Sequence, residues 1–181
     1  EIQRMLPTFL QAARQLHADT PGLRVLVPAA NAQCREAIEA IVGDSPAIRV
    51  LDGQAQAAMI ASDVVLLASG TAALEAMLCK RPMVISYKIS PLTYAYVRRK
   101  IKVPHVGLPN ILLEKGAVPE LLQGRATPKR LAAAVAEWYE SPQDSADLKQ
   151  DFHNLHLLLK KDTAALAAQA VLAEAGVVQA V

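Results

Sequence analysis

The sequence has few aromatic residues, few cysteines and no long apolar run. Aromatic side chains make up 4% of the 181 residues, so Ala, Leu and Val must provide most of the core packing. Apolar stretches fall short of the roughly 18 residues that a membrane-spanning helix needs, and no secretory signal pattern opens the chain. Cys34 and Cys79 lie far apart without metal-binding spacing. This usage favours reduced thiols in a cytosolic protein.

An excess of charge of either sign is also lacking. The chain has 19 Lys and Arg against 17 Asp and Glu, a net charge of +2. A general nucleic-acid surface carries a marked basic excess, so no nucleic-acid partner is predicted. Hydrophobic residues make up 52%, which is enough to bury a sizeable core. The length fits one domain, or one and a fraction.

What the sequence does contain is an alternation of short apolar runs and helical patterns. Strands are predicted at residues 23–28, 48–51, 64–67, 83–87 and 105–108, and helices at 31–42, 54–61, 72–80, 90–102, 127–139, 143–160 and 162–175. This alternation is typical of an α/β fold with a doubly wound parallel sheet, a Rossmann-like arrangement. A helical pattern without an N-terminal cap already covers the first residues. We therefore expect that a strand and loop precede it in a longer protein.

A candidate ligand site follows the third predicted strand. Ligands of parallel sheets bind beyond the carboxyl ends of the strands, where Ser69, Gly70 and Thr71 stand directly before a helix. The N–H groups and partial positive charge of a helix N-terminus suit phosphate, and glycine lets the backbone approach a ligand closely. Glu75, about one turn further, can accept two hydrogen bonds from a vicinal diol such as a ribose.

Capping is the alternative interpretation of the same residues. Ser or Thr before a helix commonly caps it, and acids are common in first turns because they complement the helix dipole. The turn matches neither the P-loop nor the G-x-G-x-x-G fingerprint. The pattern therefore leaves both interpretations open.

Three stretches together resemble the bacterial lipid-A-disaccharide synthase family. They are DGQAQAAMIASDVVLLASGTAALEAMLCKRPMVISYKISPLTYAYVRRKIK at 52–102, VGLPNILLEKGAVPELLQ at 106–123 and LHLLLKKDTAALAAQAVL at 155–172. The segment ASGTAALEAML is shared loosely with other glycosyltransferases of the two-Rossmann-domain (GT-B) type, whereas PMVISYK and LPNIL are more specific. The resemblance covers essentially the whole chain, as the C-terminal, donor-binding half of such an enzyme.

The resemblance implies a metal-independent, inverting glycosyltransferase of lipid A (lipopolysaccharide) biosynthesis that uses no cofactor. Its donor is UDP-2,3-diacylglucosamine and its acceptor is lipid X, 2,3-diacylglucosamine 1-phosphate; the products are lipid A disaccharide 1-phosphate and UDP. The catalytic base and most of the acceptor site belong to an N-terminal domain outside this chain, so no catalytic residue is expected here. Location in the bacterial cytoplasm, peripheral at the inner membrane, is also implied.

Site residues are carried over position by position. By resemblance, Ser69, Gly70 and Thr71 face the diphosphate and Glu75 binds the ribose. The Leu51–Gly53 loop, with Leu51 and Gly53 at its ends, corresponds to the loop whose backbone reads the uracil edge. The UDP-sugar-binding domain then spans residues 1–140, and 141–181 are helices that pack on it or on a partner domain.

Three further residues have a weaker basis. Asn110 corresponds to a motif residue near the donor, although an Asn after Pro109 is also typical of a turn or cap. Gln123 is a further candidate, although polar helix residues are usually exposed. Lys88 could add positive charge near the diphosphate, whereas a lysine at a strand end is commonly just solvated.

A basic amphipathic helix is predicted at 90–102. Aromatic and cationic side chains together suit an anionic membrane surface, and the candidate contacts are Tyr94, Arg98, Arg99, Lys100 and Lys102. The alternative is a core-packed helix whose last cations complement its dipole. His153 and His156 have helical metal spacing, but without a third ligand we predict no metal site.

Two other functions remain open from the sequence. One is a different UDP-sugar enzyme of the GT-B type, such as a UDP-N-acetylglucosamine 2-epimerase or a peptidoglycan glycosyltransferase half. The other is a non-catalytic UDP-binding module. The Ala- and Leu-rich C-terminal helices would also suit a homodimer contact.

Overall fold

The computed structural model describes residues 2–90, 93–94 and 104–175. In chain order the elements are α1 (Ile2–Asp19), β1 (Val25–Ala29), α2 (Ala32–Val42), β2 (Ile48–Asp52), α3 (Ala55–Ala61), β3 (Val65–Ala68), α4 (Thr71–Leu78), β4 (Met83–Tyr87), α5 (Leu108–Leu112), β5 (Glu120–Leu122), a 3₁₀ turn (Gln123–Arg125), α6 (Pro128–Glu140), α7 (Pro142–Leu159) and α8 (Thr163–Glu174). Within these ranges, no helix is both long and apolar enough to cross a membrane.

All described strand pairs are parallel and form two sheets. One sheet pairs β1 with β2, and the other has the order β3-β4-β5. The register places Pro28 beside Leu51 in the first sheet and Ala68 beside Ser86 in the second. Helices separate every successive pair of strands, which confirms the predicted α/β class with parallel, Rossmann-like topology.

Helix α1 joins the two sheets. Its Ala12 and Leu16 pack with Val84 of β4 and with α6, whereas its Leu10 packs with Ala29 of β1 and with α2. The core on the other face of the second sheet is built by α4 and α7, and Phe152 of α7 is fully buried there. The part of the C-terminal region from 142 to 159 therefore shares the core of the preceding residues.

Among the described residues no strand joins the two sheets, and β1 and β3 are each paired on one side only. The Val65 N–H donates to Pro82 O, directly before β4, and the Ser69 N–H donates to Ser86 O of β4, so alternation points the amides of Leu66 and Ala68 the other way. Strand β1 is half-buried along most of its length, whereas the first four residues of β4 are fully buried. A strand that is central in a doubly wound sheet is normally covered on both faces, which fits β4 but not β1.

The predicted fifth strand at 105–108 is wrong, and the fifth strand is Glu120–Leu122. The N–H groups of Val106 and Gly107, which a strand would use in its ladder, donate to the Glu120 carboxylate at 3.0 Å each. Pro109 then occupies the first turn of α5, where its missing N–H costs nothing. The three-residue strand β5 was not predicted because an acid within a short apolar run gives no clear periodicity.

Two helices that were predicted to begin at residues 31 and 127 are capped by the side chains of those residues. Asn31 Oδ1 accepts the N–H of Cys34 at 2.8 Å, and the Thr127 hydroxyl accepts that of Arg130 at 3.4 Å. Helix α8 differs from the other long helices because it buries none of its residues. Leu166, Val171 and Leu172 are exposed on it, so docking of this helix on a second copy or another domain stays a prediction.

Candidate functional site

The turn between β3 and α4 has a backbone conformation at Gly70 that leaves room for a ligand. Gly70 has a φ of 154°, a value that residues with side chains rarely adopt. A Cβ built on Gly70 would meet nothing within 4 Å. The space beside the glycine is therefore open at the carboxyl end of β3.

The capping interpretation of this turn is not what the structure shows. The N-cap of α4 is Gly70, and no side chain caps the helix. Within the described part of the chain, neither the Ser69 nor the Thr71 hydroxyl is engaged in a hydrogen bond. Both hydroxyls and the first N–H groups of α4 can therefore bind a ligand.

Glu75 is exposed on α4, one turn after Thr71. Its neighbours Ala76 and Met77 are fully buried, so the carboxylate lies on the solvent side of the helix. It forms no ion pair with any described residue. Residues four apart share a helix face, which places the Thr71 hydroxyl and the Glu75 carboxylate on the same side.

Strand β2 is followed by two residues whose backbone lies in the left-handed region of φ/ψ space. Gly53 has a φ of 62° and Gln54 a φ of 57°, and the Gly53 N–H donates to Ala29 O at 2.7 Å. Asp52 pairs with Arg35 at 2.7 Å, and Arg35 also contacts Glu39 at 2.8 Å. The hydrogen bond to Asp52 raises the pKa of the Arg35 guanidinium. This ion pair, which sequence reasoning missed, ties the carboxyl end of β2 to α2. Leu51, predicted as part of the loop, lies within β2, and Gly53 is the first residue after the strand.

Asn110 lies inside the protein, and its amide is used internally. It is 1% exposed. Its Nδ2 donates to Val118 O at 2.9 Å and to Glu120 Oε1 at 2.7 Å, and its Oδ1 accepts the Val118 N–H at 2.8 Å. These bonds join α5 to the segment that leads into β5. Glu120, which the sequence analysis did not single out, is the acceptor shared by this network.

Gln123 follows the carboxyl end of β5 and has a φ of 50°. With its amide oriented to satisfy both groups, the side chain accepts the Ile89 N–H at 2.9 Å and donates to Ile89 O at 3.3 Å. Gln123 therefore holds the backbone that follows β4 at the same edge of the sheet as the β3–α4 turn.

The pair His153 and His156 belongs to no group of three or more potential metal ligands among the described residues. His156 Nδ1 contacts the Lys80 ammonium, and this positive charge lowers the pKa of the imidazole. Of the membrane-contact candidates, only Tyr94 lies in the part of the chain that the structure describes. Tyr94 belongs to the short described segment at 93–94, whereas Arg98, Arg99, Lys100 and Lys102 lie outside the described residues.

A cavity of about 600 Å³ lies away from the carboxyl ends of the strands. Its lining includes Lys115, Trp138, Asp144, Asp147 and Asp151, from α6, α7 and the segment before β5. None of the predicted site residues lines it. Ser69–Thr71, Gly53 and Gln123 instead follow the carboxyl ends of their strands. Leu51 is the second-last residue of β2, Glu75 lies one turn into α4, and Asn110 lies within α5.

Comparison with known proteins gives a consistent result. The family model described as lipid-A-disaccharide synthetase matches residues 1–173. The lipid-A-disaccharide synthase of Neisseria meningitidis serogroup B is 58% identical over 180 residues, which cover 97% of this chain and 47% of that protein. The Neisseria gonorrhoeae protein of the same name is 59% identical, with 97% and 46% covered. That of Xanthomonas campestris is 48% identical over 177 residues, with 94% and 40% covered.

The chain thus spans about half the length of the curated relatives it matches. The match extends from the first residue through the β3–α4 turn and Gln123 into α8, and the resemblance predicted from the sequence motifs is confirmed. The chain belongs to the lipid-A-disaccharide synthetase family.

Proposed function

We propose that this chain is the donor-binding part of a glycosyltransferase that joins UDP-2,3-diacylglucosamine to lipid X. The products are lipid A disaccharide 1-phosphate and UDP. Family membership supports the reaction. The observation that carries the donor-binding role is the uncapped Ser69–Gly70–Thr71 turn with an exposed acid one helical turn behind it.

In this proposal the β3–α4 turn binds the diphosphate. The open space at Gly70 admits a phosphate to the N–H groups of α4, and the Ser69 and Thr71 hydroxyls add donors. The Glu75 carboxylate accepts the two ribose hydroxyls. Thr71 and Glu75 are separated by about 6 Å along the helix axis, a distance that the ribose and phosphates of one nucleotide can span.

The proposal assigns no role to a metal or other cofactor. Negative charge builds up on the UDP oxygens as the bond between sugar and phosphate breaks, and preorganised donors stabilise such charge. Helix N–H groups and protein cations would supply this stabilisation. UDP affinity is therefore expected to be the same with and without a chelator such as EDTA.

We infer that the site is completed outside this chain. Strands β1 and β3 each lie at an edge of their sheet among the described residues, and helix α1 packs against both sheets. A parallel strand between them would satisfy both edges and bring its carboxyl end beside the β3–α4 turn. By the family resemblance, the catalytic base and most of the acceptor site are assigned to an N-terminal domain, and the relatives, about twice as long as this chain, have room for one.

The isolated chain is therefore expected to bind UDP but to turn nothing over. Calorimetric titration with UDP measures binding, and product formation from UDP-2,3-diacylglucosamine and lipid X measures turnover. Turnover by the chain alone, or no binding of UDP, would contradict the proposal. Mixing this chain with the remaining half of the protein distinguishes two functions. A synthase should then form product, whereas a non-catalytic UDP-binding module should stay inactive. Binding of UDP-N-acetylglucosamine in preference to the acylated donor would instead favour the epimerase or peptidoglycan alternative.

Peripheral association with the cytoplasmic face of the inner membrane is also part of the proposal. The substrates are lipids, and the stretch from Tyr94 to Lys102 contains four cations beside apolar side chains. Replacing Arg98, Arg99, Lys100 and Lys102 by Gln is expected to weaken binding to anionic vesicles, and the difference should shrink at high salt. Unchanged vesicle binding in cosedimentation would contradict this. A matched control replaces exposed cations of α7 and the following turn, Lys149, Lys160 and Lys161.

A further inference from the structure

Lys88 stands at the end of β4, next to the β3–α4 turn. The register pairs Ala68 with Ser86, and the Ser69 N–H donates to Ser86 O at 3.1 Å. Strands β3 and β4 therefore run side by side up to the residues that precede Gly70 and Lys88. Neighbouring strands lie about 4.8 Å apart, so a four-carbon side chain at this position can reach the space beside the turn.

The Lys88 side chain is directed to the face of the sheet that α1 covers. Val84 of β4 packs with Ala12 of α1, and alternation along the strand places Ser86 and Lys88 on the same face. The Lys88 Nζ donates to the Thr8 hydroxyl at 3.2 Å. Helix α4 packs on the opposite face, where Met77 meets Ile85. The ammonium and the α4 N–H groups thus flank the same strand ends from opposite faces.

The charge of Lys88 is held in place without being neutralised by a described residue. Its hydrogen-bond partner, the Thr8 hydroxyl, is uncharged, and no described carboxylate lies within ion-pair distance. Among the described Lys and Arg residues, two do have such partners: Lys115 meets Asp151 at 2.6 Å, and Arg35 meets Asp52. Because an ammonium has three donors, Lys88 keeps further donors for an anion.

We propose that Lys88 binds the diphosphate of the nucleotide and that Thr8 is its positioning residue. This inference rests on the proposed function, because it assumes that UDP occupies the β3–α4 turn. The half-buried stem of Lys88 packs beneath α1, and the Thr8 hydroxyl selects the rotamer that presents the ammonium to the phosphates. Charge-assisted hydrogen bonds of this kind are about twice as strong as neutral ones.

The test compares UDP with uridine, which shares the base and ribose but lacks phosphate. Lys88→Met, which keeps the aliphatic stem, is expected to lower UDP affinity about 10- to 100-fold and to leave uridine affinity unchanged. Thr8→Val is expected to lower UDP affinity about threefold to tenfold, whereas Thr8→Ser, which keeps the hydroxyl, should bind like the wild type. The matched control is Lys149→Met on exposed α7.

The outcomes distinguish a failure of the proposed function from a failure of the role assigned to Lys88. If the wild type does not bind UDP, the proposed function fails and the role of Lys88 fails with it. If the wild type binds UDP and Lys88→Met binds it equally well, only the role of Lys88 is overturned. A parallel loss of UDP and uridine affinity, with a lowered urea midpoint, would show that Lys88 serves folding, and would also overturn it. Inorganic phosphate competing with UDP in the wild type but not in Lys88→Met supports the assignment.

Discussion

Replacing Glu75 with alanine is expected to reduce the binding free energy of UDP by about 1–3 kcal/mol. Two charge-assisted hydrogen bonds to the ribose diol are lost, and each is worth more than a neutral bond. The side chain is exposed and has no described ion-pair partner, so the substitution should leave folding intact. Calorimetric titration of the wild type and Glu75→Ala with UDP measures the effect.

A thermodynamic cycle sharpens this experiment. The wild type should bind 2′-deoxy-UDP more weakly than UDP, whereas Glu75→Ala should bind the two ligands equally, because the acceptor of the missing hydroxyl is gone. Glu140→Ala, at the exposed end of α6, is the matched control. Unchanged UDP affinity in Glu75→Ala would remove the ribose-binding role of this residue.

Replacing Asn110 with alanine is expected to lower the free energy of unfolding by about 3 kcal/mol or more. The substitution leaves the Val118 N–H and carbonyl without their partner and removes one of two donors to Glu120 Oε1, which keeps the Gly107 N–H. Buried polar groups that lose a partner cost about 1–3 kcal/mol each. Urea denaturation should show a lowered midpoint with an unchanged slope.

The same variant decides between two roles for Asn110. The resemblance places it near the donor, whereas the structure buries its amide in contacts within the protein. If Asn110→Ala keeps its stability and loses UDP affinity, the donor role is the correct one. Asn154→Ala serves as the control, since that exposed side chain bonds only Gln150 among the described residues. It should change stability by less than about 0.5 kcal/mol.

The local patterns that were predicted correctly are those in which one short segment contains all the information. β4 at 83–87 is buried along its apolar run, and Asn31 and Thr127 cap their helices with their own side chains. The family resemblance likewise depends on contiguous motifs. The fifth strand could not be predicted, because residues 105–108 are kept out of the sheet by a carboxylate 13 or more residues away.

For this protein, the order of strands and helices as far as β4, the position of the β3–α4 turn and the membership in its family follow from the sequence by itself. These features depend on side-chain periodicity, on turn residues and on motif spacing, all of which are local in the chain. Only the tertiary structure decided that Glu75 is exposed while Asn110 is buried, and that Lys88 meets Thr8 across 80 residues. Burial and pairing are set by which surfaces pack together, and a helix or strand pattern does not specify its neighbour.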